Sequence, residues 1–133
     1  MSSKSSRGIW LSLYKFESHI DWSQVLMRDI EVDVSRVGEM DSSGKKEVKN
    51  NCVCLRYTGS LPDRYDDRIT SLVDAIGGDR QLQTIIQKHL AQEVFIMLEI
   101  PAKSSPCVEE GFISSDMMGF LFRQKIDLHF WYL

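Results

Sequence analysis

At 133 residues, 43% of them hydrophobic and 26% charged, the chain has the length and composition of one globular domain and falls outside the disordered and fibrous classes. Residues 1–60 carry nine Lys and Arg against eight Asp and Glu, and residues 61–133 carry seven against eleven. That acidic second half argues against a nucleic-acid binder, which needs a basic stripe along the phosphates.

The first residues, Met1-Ser-Ser-Lys-Ser-Ser-Arg7, are polar and read as a disordered tail. They lack the apolar core of a signal peptide, and no later run approaches the roughly 20 apolar residues of a membrane span. Three cysteines without an export signal fit a reducing compartment. A cytoplasmic protein is therefore expected.

Ile9, Leu11 and Leu13 alternate with Trp10, Ser12 and Tyr14, the period-2 signature of a strand. Trp22, Val25 and Leu26 then recur at helical spacing, and Asp21 can cap a short helix from Asp21 to about Arg28. Ile30, Val32 and Val34 alternate with charged residues up to Val37, which predicts a second strand. Residues 38–51 are rich in Gly, Ser, Asp, Asn and Lys and read as a mobile loop. A third strand follows from Asn51 to Tyr57, ended by Pro62.

From there the period changes. Tyr65, Ile69, Leu72, Val73 and Ile76 mark a helix, with Asp63, Asp66 and Asp67 complementing its positive end. Gly77-Gly78 terminates it, Asp79 can cap the next helix, and Leu82, Ile85, Ile86 and Leu90 form that helix's stripe. The run Glu93–Ile100 is nearly continuous in apolar residues and reads as a strand covered on both faces. Ser114 or Ser115 can cap a further helix carrying Met117, Met118, Leu121 and Phe122. The last strand places Ile126, Leu128, Phe130 and Tyr132 on one face and Asp127, His129, Trp131 and Leu133 on the other.

These elements predict a single α+β domain over 1–133: a mixed or antiparallel sheet of about five strands with three to four helices packed mainly on one face. Its expected core contains Leu11, Leu13, Leu26, Ile69, Leu72, Ile76, Leu82, Ile86, Ile96, Leu98, Leu121, Leu128 and Phe130.

The order of features from Tyr65 to Leu133, with Gly111-Phe112-Ile113-Ser114 and the terminal run Ile126-Asp127-Leu128 through Tyr132, resembles a family of small bacterial domains of unknown function. Leu11-Ser12-Leu13 and Val37-Gly38-Glu39 match more loosely, and the third strand lacks the Trp often found there. The resemblance carries over no catalytic residue. Because some small bacterial proteins of this kind sit beside polymorphic toxins, it implies an immunity role.

Cys52 and Cys54 share one face of a strand and could seed a soft-metal site, yet no second closely spaced ligand pair accompanies them. Buried cysteines acting as small hydrophobes are the plainer reading, and neither metal nor cofactor is expected. No nucleophile elbow or phosphate-binding loop is present. Glu17, His19 and Asp21 form the one alternative acid–base grouping, for a small-molecule site or a small enzyme. Otherwise a non-catalytic protein-binding module is expected, a monomer or homodimer whose partner is a cognate toxin or another protein. Trp10 and Trp131 are its hot-spot candidates, and Glu109 and Glu110 would face a basic partner.

Overall fold

The computed structural model describes residues 8–14, 25, 27–36, 38, 40, 44, 51–89, 93–100 and 113–132. They form a five-stranded mixed sheet and three helices, an α+β arrangement. In chain order these are β1 (Ile9–Tyr14), β2 (Ile30–Ser35), β3 (Cys52–Tyr57), α1 (Tyr65–Ile76), α2 (Asp79–His89), β4 (Glu93–Ile100), α3 (Ser115–Gln124) and β5 (Asp127–Tyr132). The strands lie in the order β2-β3-β1-β4-β5. All neighbours are antiparallel except β4 and β5, which the α3 crossover makes parallel.

Alternation decides what each strand gives to each face. Ile9, Leu11, Leu13, Val53, Leu55, Val94, Ile96 and Leu98 are buried together with Tyr65, Ile69, Leu72, Val73, Ile76, Leu82, Ile85 and Leu121 from the helices. One apolar cluster therefore joins one sheet face to all three helices. Arg68 shares the α1 stripe and is 1% exposed; its Nε donates to Pro62 O at 2.6 Å and its guanidinium lies over the Tyr65 ring at 5.0 Å.

Local chemistry sets the helix ends. Gly77 and Gly78 take φ of 125° and 92°, and their N–H groups donate to Asp74 O and Val73 O. The Ser114 hydroxyl accepts from Met117 N at 3.1 Å, capping α3, while the Ser114 N–H donates to the Asp66 carboxylate on α1 at 3.0 Å. Lys125 closes α3 in the left-handed region at φ 58°.

Several expectations are corrected. Phe130, assigned to the core, is 43% exposed, and on α3 Met118 and Phe122 are 53% and 83% exposed. The inward side of α3 is instead Leu121 with Met117 and Phe120. Phe130 shares a face with Leu128, but it stands near the end of an edge strand. Strand β4 is fully buried on one face only: Phe95 and Met97 on the other are half-buried. Helix α2 begins at Asp79 itself rather than after it. The helix expected from Asp21 to about Arg28 lies largely outside the described residues, and residues 27–29 at its end are not helical. The expected tail 1–7, most of the loop 38–51 and Leu26 also lie outside them.

Candidate functional site

The sheet face turned away from the helices carries the chemistry-bearing side chains, because alternation puts every second residue there. Register sets the neighbours: Trp10 lies opposite Arg56 and Met97, Ser12 opposite Cys54 and Phe95, and Tyr14 opposite Cys52 and Glu93. On the outer strands Glu31 and Asp33 flank Arg56 and Cys54, while Phe95, Met97 and Glu99 neighbour Asp127, His129 and Trp131.

Two aromatic contacts run across the middle of this face. The Tyr14 and Phe95 rings stack at 5.6 Å, and the Phe95 and His129 rings at 4.2 Å, interplanar 11°. Near one end the Arg56 guanidinium sits over the Trp10 ring at 5.0 Å and reaches Glu99 Oε1 at 3.3 Å. Glu99, 9% exposed, also accepts the Gly8 N–H at 2.7 Å. A buried carboxylate with two donors is a satisfied structural ion rather than an idle one.

The thiols form the second cluster. Cys54 Sγ lies 3.3 Å from Ser12 Oγ, and Ser12 is 1% exposed. The Cys54 thiol is lowered to about 6, chiefly by a hydrogen bond from Cys52 and further by the Ser12 hydroxyl, against burial and the Asp33 charge. Cys52 is raised, first by that same bond and then by burial. The hydrogen bond between the two thiols thus shifts them in opposite directions, Cys54 down and Cys52 up. Burial, with Cys52 beside it, pushes the Tyr14 hydroxyl up to about 12. A groove of about 420 Å³, lined by Trp10, Glu31, Asp33, Cys54 and Arg56, opens beside Cys54. Cys52 and Cys54 are free, and among the described residues no three of His, Cys, Asp and Glu gather as a metal site requires.

A third region lies at the β5 edge. Trp131, 56% exposed, points to the open face and Phe130 to the other, while Met118 and Phe122, one helical turn apart, line the outer side of α3. No helix among the described residues is long and apolar enough to cross a membrane.

Of the residues singled out from sequence, Trp131 is exposed on a strand edge and Trp10 is half-buried beneath Arg56. These two stand on β5 and β1, separated by β4. Glu17, His19, Asp21, Glu109 and Glu110 lie outside the described residues, as does Cys107. Sequence reasoning missed Phe122, Met118 and Phe130 as surface residues, and Ser12, Arg56 and Glu99 as partners in a polar network. The available signal for the network was parity: Ser12 and Glu99 fall on the rows opposite the aliphatic ones. Comparison with protein-family models, with curated proteins and with solved structures returns no match.

Proposed function

We propose that the chain is a non-catalytic protein-binding module, docking its partner along the β5 edge and the outer side of α3. The observation that carries this reading is the exposure of four large apolar side chains on two adjoining elements: Met118, Phe122, Phe130 and Trp131. An edge strand with few charges and no proline is a template for pairing with another chain, and exposed Trp and Phe are the usual anchors of such contacts. The opposite edge, β2, alternates Glu31 and Asp33 outward and resists the same pairing.

The finer form of the reading makes the partner a basic bacterial toxin. Its support is the resemblance of the Gly111–Ser114 and Ile126–Tyr132 elements, together with the acidic excess of residues 61–133. In this form association is fast at low salt and slows when Glu109 and Glu110 are reversed in charge.

The test is retention of proteins from the native host on the wild-type chain and on a Phe122→Ser/Trp131→Ala variant. Both side chains are exposed, so the variant keeps its circular dichroism and loses no more than ~0.5 kcal/mol per site. A protein held by the wild type and lost by the variant is the expected result. Equal retention by both, or none by either, removes the proposal.

A further inference from the structure

We propose that Cys54 is a thiol–disulfide exchange site for small cationic disulfides, with Cys52 and Ser12 as its positioning residues. The site lies on the open face, near β2, and does not depend on the β5 edge. Three geometric observations converge on it. Two thiols share one side of β3, the buried Ser12 hydroxyl lies 3.3 Å from Cys54 Sγ, and a groove opens beside that sulfur. The two thiols differ in placement, since Cys54 has the Ser12 hydroxyl 3.3 Å from its sulfur and lines the groove, and its pKa is shifted downward.

The groove selects by charge. Glu31 and Asp33 outweigh Arg56, whose guanidinium is already engaged with Glu99 and the Trp10 ring. A disulfide ending in ammonium groups is attracted there, and one ending in carboxylates is repelled. In the step itself, the Cys54 thiolate attacks one sulfur of the reagent RS–SR. A Cys54–S–SR bond forms, the reagent's S–S bond breaks, and the departing RS⁻ keeps the electron pair and takes a proton from solvent. Nothing is oxidised beyond the exchange, because the disulfide supplied is the oxidant. Cys52 does not readily displace the adduct: two residues along a strand lie about 6.4–6.8 Å apart, at the far end of the Cα separation a disulfide tolerates.

The experiment exposes the reduced full-length chain to cystamine, which is dicationic, and separately to dithiodiglycolate, which is dianionic. Intact mass gives the rate, and fragment ions give the position of the adduct. The expected result is one adduct per chain, on Cys54, formed about tenfold faster from the cation at low salt, with that preference shrinking as salt is added. Cys54→Ser should abolish the fast reaction. Cys52→Ser and Ser12→Ala should keep the adduct on Cys54 but move the rate's pH midpoint upward, which loss of packing alone would not do. An adduct on Cys52 or Cys107 in preference to Cys54 overturns the proposal, as does equal reactivity of the two reagents or no adduct at all. A midpoint unmoved in both positioning variants removes the roles of Cys52 and Ser12. The mapping and the reagent comparison use the wild-type chain, so they hold whether or not a variant folds.

Discussion

On the helix side of the sheet, Leu11, Leu13, Leu55, Ile96 and Leu98 are fully removed from solvent; one residue along each strand, Trp10, Cys54, Arg56, Phe95 and Met97 are only half-buried. Ser12 and Glu99 are the buried exceptions on that second face, and each is held by a named polar contact. The first face is stabilised by non-directional burial, which accepts any aliphatic residue of suitable volume. The second depends on pairs whose geometry must be met, and such pairs specify neighbours more than they add stability. A sheet that packs its described helices on one side can thus fold from that face and keep the other for recognition or reactivity.

The sharpest way to break this contrast is to truncate adjacent residues of β4. Ile96→Ala should cost about 2–5 kcal/mol, and Met97→Ala, facing the other way, less than ~1.5 kcal/mol. Thermal midpoints of the two variants would measure the difference, and equal losses would erase the distinction between the faces. Glu99→Ala comes next. It leaves the buried Gly8 N–H without its acceptor and should cost about 1–3 kcal/mol in chemical denaturation. Adding Arg56→Ala should increase that loss by less than Arg56→Ala costs alone, since the two share one contact.

Ser114→Ala tests a local device outside both faces and should lower stability by about 1 kcal/mol through loss of the α3 cap. An unchanged unfolding curve would mean that the Asp66 contact alone fixes this helix end.

The smallest effect is the pH response of Tyr14. Its hydroxyl is raised in the folded chain to about 12, against an ordinary value near 10. Between those values the unfolded chain loses the proton first. The stabilisation is therefore complete below pH ~10 and lost as pH rises toward ~12. Relative to wild type, Tyr14→Phe should show a shallower loss of stability between pH 9.5 and 11.5, the range to be scanned. Identical slopes would place the hydroxyl in water.

The strands and helices were legible wherever the signal was local. Alternation at Ile9–Leu13 and Ile30–Val34, the Tyr65–Ile76 stripe, the Gly77-Gly78 stop and the Ser114 cap each need only neighbouring residues, and each is present. Helix α3 was harder to orient because Met117, Met118, Phe120, Leu121 and Phe122 are apolar around most of its circumference. Periodicity could not choose the buried side; docking against the core chose Leu121 with Met117 and Phe120.

The site depended on strand order in the same way. Local sequence puts Ser12, Tyr14, Cys52 and Cys54 on alternating rows, but only the β3-β1-β4 neighbourhood sets Ser12 against Cys54 and Tyr14 against Cys52 and Phe95. Likewise, Leu128 and Phe130 share a face by sequence, and the tertiary fold gives one of them cover and leaves the other exposed at an edge. The reason is physical. Backbone propensity and period act over a few residues and are written in the sequence there, whereas burial and cross-strand pairing are set by contacts between residues far apart in the chain, 42 positions for Ser12 and Cys54 and 91 for Gly8 and Glu99.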